Sequence, residues 1–459
     1  MPKAVGILWL IIWGDLGMSF EWPIKTLGEV CSKITDGAHH SPKSVAIGKP
    51  MASVKDLTRF GVDLSEARLI SNEDFDFLVR QGCKPEIEDV LISKDGNSAL
   101  DTVCNVKQPL DAVLLSSVAI LRPNLLLITS DYLKYYLSSK DVIEYLKSNF
   151  ISGAAIPRIV LKDFKKAEIQ LPPLDIQNKI TSILNPLDNR ISLLRETNIT
   201  LEAIAQTLFK SWFVDFDPVK AKAEGKQPEG MDEATAALFP SEFEESALGL
   251  IPKGWRVERL GSVIPVKDGT HESPKPTESG YPLITSRHIT GGKMDFDNTY
   301  LISDVDFINI SKRSRVDRFD VLITMIGTVG IPVIVLEDKT DFAIKNIGLF
   351  KTSSKLEFSH YLYLLLLSSN MKHYIEARLA GTTQKYVSLK ALREIEIILP
   401  SGDILSMFSQ VTFSLFDKIH ENDGLIKTIT TLRDTLLPRL ISGQLRINQP
   451  QDVINEVGA

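Results

Sequence analysis

"DGAHHSPK" runs from Asp36 to Lys43, and "DGTHESPK" runs from Asp268 to Lys275. Six of the eight letters agree at an offset of 232 residues. The match is one of a collinear set. "WPIKTLGEV" (Trp22–Val30) meets "WRVERLGSV" (Trp255–Val263), and "LISNEDF" (Leu69–Phe75) meets "LISDVDF" (Leu301–Phe307). "DVLIS" (Asp89–Ser93) meets "DVLIT" (Asp320–Thr324). "GAAIPRIVLK" (Gly153–Lys162) meets "GTTQKYVSLK" (Gly381–Lys390), and "EIQLP" (Glu168–Pro172) meets "EIILP" (Glu396–Pro400). The offset drifts from 233 to 228, as small loop insertions would make it. The chain is therefore two copies of one module.

Each copy reads as an α+β domain. Short apolar runs such as Val90–Ile92, Val113–Leu115 and Ile120–Leu121 lie between Gly, Pro, Asn and Asp, which predicts strands and turns. "DYLKYYLSSKDVIEYLKSNF" and its counterpart "HYLYLLLLSSNMKHYIEARL" carry apolar residues at helical spacing.

A long helix follows each domain. Ile176, Ile180, Ile183, Leu187, Ile191, Leu194, Leu201 and Leu208 recur in steps that keep one helical face. Phe408, Val411, Leu415, Ile419, Ile426, Ile429 and Leu436 answer them in the second copy. A helix of about 35–40 residues is ~55 Å long. Neither can leave such a stripe in water, so the two are expected to pack as an antiparallel coiled-coil pair with pseudo-two-fold symmetry. Pro186 interrupts the first stripe, and a helix beginning at Pro186 with Asn185 as N-cap is the alternative to an unbroken one. Gly424 weakens the second. Asn198 and Asn422 fall on the stripes, where they either fix register or mark solvent contact.

The expected order is a leader at 1–17, domain 1 at 18–174, a central helix at 175–217, an acidic linker at 218–254, domain 2 at 255–401, a distal helix at 402–443 and a tail at 444–459. The linker holds seven acids against four lysines, although the whole chain carries only −6. "AVGILWLIIW" (Ala4–Trp13) is too short for a membrane span, which takes ~20 residues, and the repeat begins only after Met18. Three cysteines without CxxC spacing suit a reducing cytoplasm rather than a disulfide framework. No phosphate loop, HExxH metal motif, GxSxG elbow or amino-methyltransferase [NDS]PP[YFW] motif occurs. No catalytic or metal-binding residue is assigned.

Two similar domains joined by helices can present two binding surfaces. For DNA, they would read two short sites separated by an unread gap; a scaffold for two proteins and an enzyme with unfamiliar motifs are the other readings. The repeated loops offer His39, His40 and Lys43, or His271 and Lys275, as donors to phosphates or base edges, although an ordinary exposed turn would look the same. "ASVKDLT" (Ala52–Thr58) and "TSRHIT" (Thr285–Thr290) correspond and carry Lys55, Arg287 and His288. Arg287 could pair with guanine or simply bridge a carboxylate. "SKRSRVDR" (Ser311–Arg318) supplies Lys312, Arg313 and Arg315 to phosphates or to solvent. Gln384, Lys385 and Tyr386 replace Ile156, Pro157 and Arg158, as expected of surfaces that read different sequences, or of drift at an idle loop.

The layout, with "GAAIPRIVLKDFKKAEIQLPPLDIQNKI", "LFKSWFVDFDPVKAKAEG" (Leu208–Gly225), "SALGLIPKGW" (Ser246–Trp255) and "LLPRLISGQLRI" (Leu436–Ile447), resembles the specificity subunits of type I restriction–modification enzymes over Phe20–Ile447. The resemblance implies a non-catalytic subunit whose two target-recognition domains each read half of a split DNA sequence. It implies that the helices set the gap and dock two methyltransferase subunits. S-adenosylmethionine would be used by those partners, and ATP with Mg2+ by a restriction subunit where one joins.

Overall fold

The computed structural model describes residues 22–153 and 157–445; the expected leader, the tail beyond 445 and Ile156 lie outside the described residues. The chain divides into two units, residues 1–195 with 425–459, and residues 196–424. Each long helix thus gives one half to each unit.

Unit 1 is built on two small sheets. β1 (Cys31–Asp36), β7 (Val118–Pro123), β4 (Val90–Ser93) and β5 (Val103–Asn105) form an antiparallel sheet in the order β1-β7-β4-β5. β3 (Arg68–Ile70), β2 (Lys49–Ala52) and β6 (Val113–Leu114) form the second, with β2 and β6 parallel. Alternation along β4 explains the layering. Val90 and Ile92 face the helical side with Tyr132, Tyr135, Leu184 and Leu437. Leu91 faces the second sheet with Ala52, Cys104 and Leu114. A strand covered on both faces reads as a continuous apolar run, which "DVLIS" is. Its Asp89 is fully buried and takes two hydrogen bonds from Arg122, at 2.8 and 2.9 Å.

Unit 2 repeats the plan. β8 (Val266–Asp268), β14 (Ile347–Phe350), β11 (Val321–Thr324) and β12 (Pro332–Ile334) are ordered β8-β14-β11-β12. β10 (Leu301–Ile302), β9 (Tyr281–Thr285) and β13 (Ala343–Lys345) make the partner sheet. Val321 and Ile323 face Tyr361, Leu362 and Phe408, while Leu322 faces Ile284 and Ile344. Buried Asp320 again meets a cation, Lys351 Nζ at 2.5 Å. Residues 218–254 carry helices Asp217–Ala223 and Glu233–Leu238 and a hairpin, and Val219, Phe239 and Ile251 are buried beside Trp212 and Trp255. The acidic stretch is therefore packed structure, not a loose tether.

The central helix runs unbroken from Leu174 to Phe213 with Pro186 inside it. It does not start at Pro186. The preceding turns bury Ile180 and Leu184, and that burial outweighs the ~3 kcal/mol an internal proline costs. Asn185 is used elsewhere: its Nδ2 donates to Asp131 at 2.8 Å, and its Oδ1 accepts from Tyr135 at 3.0 Å. The distal helix runs from Gly402 to Ile441 through Gly424. Within each unit the two helices are antiparallel: Asp188 meets Arg433 in unit 1, and Asn198 meets Asn422 and Phe213 meets Phe408 in unit 2. Ile180, Ile191, Leu194 and Phe408 are buried. Ile183, Leu187, Leu201, Leu208, Leu415, Ile419, Ile426, Ile429 and Leu436 are half-buried, and Val411, expected on the seam, is 41% exposed. The seam is offset from the apolar stripe because polar residues fill part of its centre.

Those polar residues are paired. Asn422 Nδ2 donates to Asn198 Oδ1 at 2.8 Å, so register fixing, rather than solvent contact, is their role. In unit 1, buried Asp188 accepts from Lys134 Nζ at 2.7 Å and Arg433 Nη1 at 2.9 Å, with the Tyr135 hydroxyl oxygen at 3.0 Å and Arg59 Nε at 3.6 Å. Burial works to raise the Asp188 pKa, but Lys134, Arg59 and Arg433 outweigh it and hold the carboxyl below its ordinary range. All three cysteines are buried and free, and burial pushes Cys31 and Cys104 up to about 12.

Asp188→Ala leaves the cluster's cations without their carboxylate and should destabilise unit 1 by about 3–5 kcal/mol, read from denaturant midpoints. The depressed pKa sets the sign with pH. The difference between wild type and variant should be full above about pH 4 and shrink as pH falls through the folded-state value. A pH-independent difference would place the stabilisation elsewhere.

Candidate nucleic-acid interface

The repeated loops pack directly on the end of the second sheet. A Cβ on Gly37 would lie 2.1 Å from the Leu114 carbonyl oxygen, and one on Gly269 would lie 2.3 Å from that of Ile344. Glycine is needed for this close approach, not for a left-handed turn. The loop is then hydrogen-bonded down, with Ala38 N donating to Leu114 O at 2.7 Å and Thr270 N to Ile344 O at 3.0 Å. Asp36 and Asp268 fix it from below, each through a different cation. Lys94 Nζ lies 2.5 Å from Asp36, whereas Arg313 pairs with Asp268. By the repeat, Met325 stands at the position of Lys94 and Gln81 at that of Arg313, so the partner has moved from strand end to helix end with the pair kept.

Two other segments come to the same end of each module. A short 3-10 turn follows β2 and β9. In the first, Ser53 N donates to Asp56 at 2.7 Å; in the second, Thr285 N donates to His288 Nδ1 at 3.1 Å. His288 therefore does the work of Asp56: it is 3% exposed and closes the turn, and does not face solvent as expected. Burial and the neighbouring Arg287 lower its pKa and keep it neutral. Arg287 Nε lies 2.9 Å from its Nε2. A neutral imidazole has one accepting nitrogen, so the Thr285 amide and Arg287 compete for it. Arg287 is exposed and is the one able to leave. Lys55, its counterpart, is exposed too, with Nζ 3.4 Å from the Glu66 carbonyl. The third segment holds Arg158 or Tyr386: Gly96 N donates to Pro157 O at 2.8 Å, and Gly327 N to Lys385 O at 3.1 Å.

In the second module these segments surround an open cavity of about 460 Å³. Thr285, Ser286, Arg287, Tyr300, Ile326, Gly327, Thr328, Lys345, Asn346 and Gln384 line it. Arg287 and Gln384, nearly a hundred residues apart, are thus brought together. Two cations and several neutral donors and acceptors around an open concavity suit phosphate and base-edge contact. Sequence reasoning missed Lys345, Asn346, Thr328 and Tyr300. The repeat held the signal for two of them, because Lys345 and Asn346 stand where the first copy has Leu115 and Ser116.

The remaining candidates are spread out. His39, His40, Lys43, Lys275 and Arg158 are exposed, as are Lys385 and Tyr386 beside the cavity. Lys312 contacts Asn309 at 3.1 Å, Arg315 contacts Asp317 at 3.3 Å and Arg313 is taken by Asp268, so that basic run is largely engaged within its own module. Among the described residues no group of side chains has metal-binding geometry, and no helix is long and apolar enough to cross a membrane.

The family model for the type I restriction modification DNA specificity domain matches twice, at residues 21–203 and 252–430. The MjaIX specificity subunit of Methanocaldococcus jannaschii is 28% identical over 70% of this chain and 70% of its own length. The HindI specificity subunit of Haemophilus influenzae is 28% identical over 72% of this chain and 81% of its own. The crystal structure of a type I restriction–modification S subunit from M. genitalium shares the fold, with a TM-score of 0.53 at 16% identity over 93% of this chain and 97% of that one. With two copies of the domain covering most of its length, the chain belongs to the family of type I restriction–modification DNA specificity subunits.

Proposed function

We propose that each module reads one half of a split DNA target and that the chain carries no catalysis of its own. The carrying observation is that one frame is built twice with different side chains at its rim. The same glycine approach, loop aspartate with a paired cation, and 3-10 turn recur, while Arg287, Lys345, Asn346 and Gln384 stand where the first copy has Lys55, Leu115, Ser116 and Ile156. Phosphate attraction gives affinity, and donors at the rim give base preference. The long helices, continuous in each unit, set the unread gap and offer docking surface to two methyltransferase subunits in the cytoplasm. Those partners bring S-adenosylmethionine, and a restriction subunit, where one joins, uses ATP with Mg2+.

The test is sequencing of methylated sites in cells that carry this chain with its methyltransferase subunit. Exchanging residues 20–174 for those of another family member should replace one half-site and keep the other; retention of both original halves would sink the reading. Arg287→Ala or Gln384→Ala should cost about 1–3 kcal/mol of discrimination, in the half-site of the second module alone. An effect on both halves would contradict independent reading. One helical turn inserted after Ile199 should lengthen the gap between half-sites, and an unchanged gap in an assembled complex would argue against a ruler.

A further inference from the structure

His271 stands between two acceptor oxygens. Its Nε2 is 3.0 Å from Asp268 Oδ2, and its Nδ1 is 2.8 Å from Asn346 Oδ1. The ring thus links a carboxylate through one nitrogen to a side-chain amide through the other. Asp268 is anchored in turn by Arg313. The Asn346 backbone is also fixed, since its N–H donates to Thr270 O at 3.1 Å and its φ is +54°, a left-handed conformation that asparagine tolerates better than most residues. Asn346 is half-buried on the cavity wall beside Arg287 and Gln384. With one end of its amide held by His271, Asn346 presents the rest of that amide away from the ring.

We propose that Asn346 reads a purine edge in the second half-site, and that His271 and Asp268 are positioning residues that fix its amide. This rests on the DNA-reading function proposed above. An asparagine amide matches adenine, giving N–H to N7 and accepting from N6 with its oxygen. The first module supports the division of labour. It keeps the pair, with His39 Nε2 3.2 Å from Asp36, but has Ser116 where Asn346 stands. The supporting carboxylate and imidazole recur, and the residue that would touch the base does not. An unanchored amide would present donor and acceptor in either order and discriminate poorly.

The experiment uses the full chain assembled with its methyltransferase subunits, on duplexes randomised in the second half-site. Asn346→Gly retains the left-handed backbone and Asn346→Asp retains the shape while removing the donor. Both should lose roughly 5- to 100-fold preference at one base position, with the other positions and the first half-site unchanged. His271→Ala leaves Asn346 in place and should relax preference at that same position by a smaller factor, whereas His271→Gln, which retains an N–H donor, should restore part of it. Unchanged preference in the Asn346 variants overturns the proposal. So does an equal loss on every sequence, because that reports general weakening rather than one lost contact. A wild-type complex with no preference in the second half-site would instead refute the DNA-reading function itself.

Discussion

Within each unit, the stability of the fold depends on pairing one half of each 40-residue helix along a seam that shields part of its apolar stripe from water. Single helices gain little stability from propensity alone and need tertiary packing. Here each helix half also covers the helical side of a module's central sheet. Leu184 and Leu437 close on Val90 and Ile92 in one unit, and Phe408 closes on Val321 and Ile323 in the other. The sheets in turn carry the loops, so the order of construction runs from helix seam to sheet to rim.

The seam is not chemically uniform. Unit 1 has a charged cluster around Asp188, while at the corresponding helix position unit 2 has Phe416, with His360 stacked on it at 4.6 Å between centroids. Burial alone pushes His360 down to about 3, so it stays neutral and packs as an aromatic. Buried charges seldom add net stability over apolar packing, yet they penalise every arrangement that separates them. The Asn198–Asn422 pair acts in the same way on register. Two duplicated modules with similar apolar stripes could otherwise slide or exchange partners, and these unlike contacts make the observed pairing distinct.

Much of the architecture was legible because duplication gives every element a second reading. The offsets alone locate β4, β11 and the two loops, whereas the burial of Asp89 and Asp320 against a cation appears only in the folded chain. Proline logic failed at Pro186, because a local rule about a missing hydrogen bond met a turn whose apolar residues were already buried. The roles of Gly37 and His288 were missed for another reason. "DG" reads as a turn and an exposed-looking histidine reads as a donor, but only the folded chain shows a carbonyl oxygen in the place of a Cβ, or an imidazole closing a turn. Lys345 and Asn346 were overlooked since "AIKN" by itself does not mark a strand end as a cavity wall, and only its contrast with "VLLS" (113–116) in the first copy singles them out. Arg287 and Gln384 were found through their chemistry, and their meeting at one cavity could not be read from spacing.

The burial of Cys31, Cys83 and Cys104 opens a practical route into the dynamics of these modules. A thiolate is the reactive form of cysteine, and buried sulfur atoms with their ionisation suppressed are slow to meet any alkylating label. The native chain is thus nearly silent to maleimide chemistry while folded. One cysteine engineered at the rim and another on the outer face of a long helix would be the two addressable sites, with no native residue to remove first. Paired fluorophores or spin labels placed there would report the separation of rim and helix as the chain meets its partners and a duplex.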